Sequence, residues 1–205
     1  MNTLTMTQVP TRNRLTLLAM VVVFAAPALA AWFYFLNPQY LPDNRSNRGE
    51  LIQPMVALNG SSGLTGPDGS AFDPDSLAGR WTLVSLEGAV CGEACRQRLI
   101  GLRQIRLALG ESRMSVERLL LLTGPDSAGV ASEFPGIRLA FADEALLSRL
   151  GEGEAALGRI YILDPMGNLM MRYPADAPAN DTLKDMERLI KASKNWIKGA
   201  GYGHR

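Results

Sequence analysis

Histidine is almost missing from this 205-residue chain: His204, one residue from the end, is the only one. Cysteine is nearly as scarce, with Cys91 and Cys95 the only pair. A structural zinc site wants four Cys or His ligands, so two cysteines and one remote histidine exclude it. Covalent haem attachment needs two residues between the cysteines and a histidine directly after, and neither is present. A hydrolase triad has no histidine to use except the one in the C-terminal tail. An excess of either charge is also lacking, with 21 Lys plus Arg against 20 Asp plus Glu. No bulk field draws the chain to nucleic acid. The segment "GEGEAALG" (151–158) has glycines at the wrong spacing for a dinucleotide loop and precedes a strand pattern instead of following one.

Charge is wholly absent from residues 15–36, "LTLLAMVVVFAAPALAAWFYFL". A helix of that length spans a hydrocarbon core of ~30 Å. Arg12 and Arg14 precede it, which by the positive-inside rule leaves residues 1–14 in the cytoplasm. Trp32, Tyr34 and Tyr40 would form the far interfacial belt. Ala28-Leu29-Ala30 also fits a signal-peptide cleavage site, but the apolar run continues well past it, which favours an anchor. Either way, everything from residue 37 onward is expected outside the cytoplasm, in the periplasm of a bacterial cell. Disulfides persist there, so a close cysteine pair can cycle.

Residues 37–53 are rich in Pro, Asn, Asp and Arg and read as a stalk. A folded domain is expected over 54–198 and a loose tail over 199–205. Residues 59–70, "NGSSGLTGPDGS", read together with Met55–Leu58 as a short hairpin or lead-in. Beyond them a regular alternation begins. "GRWTLVSLE" (79–87) and "VERLLLLTG" (116–124) are apolar runs that read as strands, the second buried on both faces. Between them, Cys95, Leu99, Leu102, Ile105 and Leu109 recur at helical steps, predicting a helix over 92–109. A short helix is predicted at 143–151 and two strands over 159–174, joined by the turn Asp164-Pro165-Met166-Gly167. A last helix covers 181–198, with Thr182 and Asp185 as a capping-box-like start. Strands joined through a helix pair in parallel, whereas the last two form a hairpin. The fold class is α/β: a thioredoxin-like mixed sheet with flanking helices, preceded by one transmembrane helix.

The cysteines fall at the first strand-to-helix junction. Cys91 at the helix N-terminus would have its thiolate favoured by unpaired N–H groups and by Arg96 and Arg98. Cys95, pointing inward beside Leu99, would be the less exposed resolving thiol. Two sulfurs one turn apart could also bind Cu(I), the soft cation that thiolates select. A structural disulfide and two packed thiols are the remaining readings. Met166, Met170 and Met171 offer soft sulfur near the hairpin, but alternating packing accounts for most of them. His204 reads as a solvated tail residue. The arginines of the helix over 92–109 read as a solvated face or a docking surface.

"LAGRWTLVSL" ahead of a C-x-x-x-C pair, followed by "IYILDPMGNL", resembles the Sco/SenC family. The resemblance covers about residues 50–198. It implies a membrane-anchored thioredoxin fold that brings copper or reducing equivalents to the copper centre of cytochrome c oxidase. Cys91 and Cys95 match the family's copper-binding and redox cysteines, and Asp164 and Pro165 its hairpin turn. The implied partners are the membrane and an oxidase subunit or another assembly protein. Two positions depart from the pattern: Arg96 stands where the family has proline, and no histidine lies near Ala156 or Leu157, where the third copper ligand belongs. A divergent member is therefore expected, with its dithiol kept and its copper ligand lost.

Overall fold

A computed structural model describes residues 11–37, 40, 47–58, 63–151 and 153–199. The chain divides into two units, Met1–Ser46 and Asn47–Arg205. In the first, helix α1 (Thr11–Leu36) contains Pro27 and includes a 23-residue stretch, Arg14–Leu36, of mean hydropathy 2.2. By length and composition that stretch can cross a membrane. At its end Tyr40 stacks on Phe33, ring centroids 5.8 Å apart.

The second unit is built on one seven-stranded mixed sheet. Its strands are β1 (Glu50–Ala57), β2 (Leu64–Thr65), β3 (Trp81–Glu87), β4 (Val116–Leu122), β5 (Arg138–Ala142), β6 (Arg159–Leu163) and β7 (Asn168–Tyr173). They lie in the order β1-β7-β6-β3-β4-β5-β2. Between β3 and β4 comes α2 (Glu93–Ala108), and the crossover makes those strands parallel, Trp81 beside Val116 and Glu87 beside Leu122. Strand β5 continues the parallel run, while β6 and β7 return as an antiparallel hairpin. The remaining helices are α3 (Val130–Glu133), α4 (Glu144–Arg149) and α5 (Ala179–Gly199). The predicted thioredoxin-like architecture is the one observed.

Period-two alternation splits the central strands between two cores. Trp81, Leu83, Leu120, Leu122 and Ile162 meet Cys95, Leu99, Leu102 and Ile105 of α2 and Met186 and Ile190 of α5. The alternate residues Val84, Leu86, Leu119, Leu121 and Tyr161 pack on the other face with Leu146 and Leu150 around α4 and with Leu77. A strand buried on both faces must be apolar at nearly every position, which is why β3 and β4 read so plainly in the sequence.

The edges differ from expectation. The sheet begins at Glu50, within the segment read as stalk. Met55–Leu58 and the residues after 62 do not make a hairpin: β1 pairs with β7 at one edge, and β2 pairs with β5 at the other. Strand β1 carries Pro54 where its register with β7 shifts, a place an edge strand tolerates proline. Helix α5 starts at Ala179, so Thr182 lies inside it and is no cap. Asp185 turns inward and accepts hydrogen bonds from the backbone N–H groups of Arg48 and Gly49 and from the Tyr173 hydroxyl. Asp185 thereby ties the entry of the domain to its last helix. The hairpin turn forms as expected, with Asp164 Oδ1 accepting from the N–H groups of Met166 and Asn168 and Gly167 at φ +87.

Candidate functional site: the Cys91–Cys95 junction

Strand β3 stops at Glu87, where the chain turns through Gly88, Ala89 and Val90 toward α2. The neighbouring loop comes so close that a Cβ on Gly124 would lie 2.9 Å from the Ala89 Cβ, so only glycine fits there without a shift. Gly92 is the N-cap of α2 and contributes no side-chain cap, so the first turn's N–H groups have no capping side chain. The residue before it is Cys91. Cys95, on the buried face of the first turn, closes a disulfide with it across a Cα separation of 5.2 Å.

The expected contrast between an exposed and a shielded thiol is absent. Cys91 is 4% exposed and Cys95 3%. The reason is tertiary: the 3-10 turn Pro125–Ser127 lies against Cys91, whose backbone N–H donates to Ser127 Oγ at 2.8 Å. Val90, next to Cys91 in sequence, is 73% exposed.

The two arginines expected to raise the potential at Cys91 are each taken by a carboxylate. Arg96 binds Glu133 of α3 through Nε (3.1 Å) and Nη2 (2.9 Å), and its Nη1 donates to the Cys91 carbonyl at 3.2 Å. The pairing raises the Arg96 pKa and lowers that of Glu133. Arg98 binds Glu87 through Nε (2.7 Å) and Nη2 (2.5 Å), and Ser85 donates to the same carboxylate at 2.6 Å. Its hydrogen bonds to Glu87 raise the Arg98 pKa against the opposing effect of burial. What remains to favour a Cys91 thiolate is the helix N-terminus itself. The arginines instead clamp α2 to β3 and to α3.

Glu87, Ser127 and Glu133 were not singled out from the sequence. Glu87 left one signal: it shares the inward alternation of Trp81, Leu83 and Ser85, so its charge had to meet a partner. Ser127 and Glu133 are 36 and 37 residues from the groups they bind and left no local signal.

The segment expected to carry a third copper ligand does lie near the cysteine loop. Gly158 N–H donates to the Leu86 carbonyl at 2.7 Å, and Leu157 Cδ1 is 4.0 Å from where a Gly88 Cβ would be. At the expected ligand position the side chains are apolar, with Ala156 fully buried and Leu157 packed on the second core. Among the described residues no group of three or more His, Cys, Asp or Glu is assembled. Reduced Cys91 and Cys95 would offer two sulfur donors, which does not fit a three-coordinate copper site. His204 lies outside the described residues. Of the three methionines, Met171 is in the core, Met170 packs against it and Met166 is exposed at the hairpin tip. A cleft of about 440 Å³, lined by Thr123, Asp143, Glu144, Leu147 and Leu157, opens at the carboxyl ends of β4 and β5.

The family described as "Transmembrane-like, thioredoxin-like, C-terminal domain" matches residues 81–193. No curated protein matches the sequence. Among solved structures, copper-bound ScoI of Arabidopsis thaliana is 14% identical, with a TM-score of 0.50 over 70% of this chain and 98% of that one. Copper-bound yeast Sco1 is 15% identical, with a TM-score of 0.50 over 67% of this chain and 94% of its own. At that identity the likeness is one of fold: the second unit is folded as the Sco/SenC thioredoxin-like proteins are.

Proposed function

The chain belongs to the transmembrane-like, thioredoxin-like C-terminal domain family, and from that premise we propose a membrane-anchored thiol–disulfide protein of Sco type. Helix α1 anchors it in the cytoplasmic membrane, and the domain faces the periplasm. It acts in assembly of the cytochrome c oxidase copper centre, on an oxidase subunit or another assembly protein. The observation that carries this reading is the Cys91–Cys95 disulfide at the β3–α2 junction.

In the reduced chain the Cys91 thiolate attacks a disulfide of the target, forming a mixed disulfide and releasing one target thiolate. Cys95 then attacks the Cys91 sulfur, reforms the internal disulfide and frees the second target thiolate. Two electrons pass from this chain to the target. Copper is not assigned as tightly held cargo, since the donor set stops at two sulfurs.

Cys91→Ser is expected to abolish disulfide exchange with a model peptide and to lower oxidase activity in cells. Full oxidase assembly in that variant would refute the thiol mechanism. Titrating the reduced full-length chain in detergent with Cu(I) tests the cargo reading. Weak or background binding is expected, whereas one tightly held Cu(I) per chain would restore copper delivery.

Burial of both sulfurs favours a second reading, a non-catalytic assembly scaffold on a thioredoxin fold. It requires the Cys91→Ser, Cys95→Ser double variant to assemble oxidase normally while substitutions on the arginine-bearing face of α2 do not. A general periplasmic thiol reductase would keep the exchange chemistry and leave oxidase assembly unaffected by Cys91→Ser.

A further inference from the structure

Arg118 stands in the middle of β4, on the face covered by α2, and is only 3% exposed. One of its nitrogens, Nη2, donates to the Pro135 carbonyl at 2.7 Å. Nε and Nη1 are buried and have no hydrogen-bond partner among the described residues. Three N–H groups of one guanidinium are thus unfilled, one on Nε and two on Nη1. A buried charge in that condition is costly unless something pairs with it.

The surroundings add positive charge. Arg106 of α2 donates from Nε to the Val116 carbonyl at 2.7 Å, two residues before Arg118 on the same strand. Arg103 is three residues earlier on the helix and exposed. Both arginines, after burial, push the Arg118 pKa down. Glu117 lies on the opposite pleat and is ion-paired to Arg80. No ion pair reaches Arg103, Arg106 or Arg118 among the described residues. On the other side the backbone at Gly136, φ +78, comes close enough that a Cβ would lie 3.6 Å from Arg118 Nη2.

We propose that Arg118, with Arg103 and Arg106, forms a receptor for a phosphate-class oxyanion. Guanidinium forks match such oxygens two at a time, and three of them favour a multiply charged ion over a single carboxylate. The ion first meets the exposed Arg103 and then pairs with one unfilled edge of the Arg118 guanidinium, since Nε and Nη1 face opposite edges and cannot both reach one ion. It joins the C-terminal half of α2 to β4 and to the loop before β5. The ligand is inorganic phosphate or the phosphate of an anionic lipid headgroup, two sources of one chemistry.

The test uses the full-length chain in detergent micelles, with inorganic phosphate replacing chloride at constant ionic strength. Thermal unfolding of the wild type is expected to rise by about 3–5 °C at ten times Kd. Arg118→Leu should lose the rise, and Arg103→Ala, an exposed change that leaves the fold alone, should weaken Kd by about tenfold. Arg113→Leu, at the same end of the domain but outside the cluster, should respond as wild type. In the second arm the chain is placed in phosphatidylcholine nanodiscs with or without phosphatidylglycerol, free of phosphate. A rise with phosphatidylglycerol that Arg118→Leu abolishes identifies the headgroup as the source, and a rise with phosphate alone identifies the free ion. If neither ligand moves the wild type, or if Arg118→Leu responds as strongly as wild type, the receptor does not exist.

Discussion

Replacing Glu87 by Gln removes the carboxylate that neutralises Arg98 beneath the disulfide-bearing helix. The side chains of Glu87 and Arg98 are 4% and 17% exposed, so the pair is largely out of water. Glu87 makes two hydrogen bonds to Arg98 and accepts one from Ser85, and glutamine can replace only part of that set. Breaking a buried pair from one side costs about 3–5 kcal/mol, because the partner's charge is left behind. The residual exposure of Arg98 lets water reach it, which sets the expectation at about 3 kcal/mol. For a domain of this size that is a fall in Tm of roughly 6–12 °C. Urea unfolding of the full chain in micelles, followed by far-ultraviolet circular dichroism, measures the loss. Glu87→Gln combined with Arg98→Met removes both charges and keeps the aliphatic stem. The double variant should recover about 2 kcal/mol relative to the sum of the two single changes. A loss below about 1 kcal/mol for Glu87→Gln, or strict additivity in the double variant, would refute the clamp.

Ser127→Ala removes the acceptor of the Cys91 N–H and so loosens the turn that holds the Cys91 backbone. Reduction by dithiothreitol should speed up about fivefold, the equivalent of roughly 1 kcal/mol, and an unchanged rate would mean that this turn does not gate access. Tyr173 has its pKa raised above its ordinary 10.0, chiefly by burial and then by Asp185. A raised folded-state value means stability is fully present below pH 10 and is lost as pH rises beyond it. Wild type should lose about 1.4 kcal/mol per pH unit from this group above that point, and Tyr173→Phe should lack that share of the slope; equal slopes would remove Tyr173 as the cause. Gly49→Ala would place a Cβ 2.5 Å from Tyr173 Cζ and 2.7 Å from Cε1. A loss of about 1–3 kcal/mol in urea unfolding is expected, and an unchanged midpoint would show that the ring can move aside.

Strands β3 and β4, helix α2 between them and the Asp164–Gly167 turn were legible because their signals are local. A run buried on both faces is largely apolar, a buried helical face repeats every three or four residues, and a tight turn needs its own residue types. Strands β1, β2 and β5 were not legible in the same way. Glu50–Ala57 has its alternation broken at Pro54 and the register shift beside it, Leu64–Thr65 is too short to carry a period, and Arg138–Ala142 opens on a charge. Each is a strand because a partner strand distant in sequence offers it hydrogen bonds.

The candidate site divides along the same line. Residue type and spacing alone placed a cysteine pair at a strand-to-helix junction, and only the resemblance to the Sco/SenC family marked the place near Leu157 where its third copper ligand is missing. Only the tertiary structure decided that Cys91 is buried with its backbone N–H held by Ser127, that Glu133 and Glu87 take Arg96 and Arg98, and that Arg118 is enclosed with unfilled N–H groups. Burial and charge pairing are properties of what packs alongside a residue, and those neighbours are chosen by the whole fold.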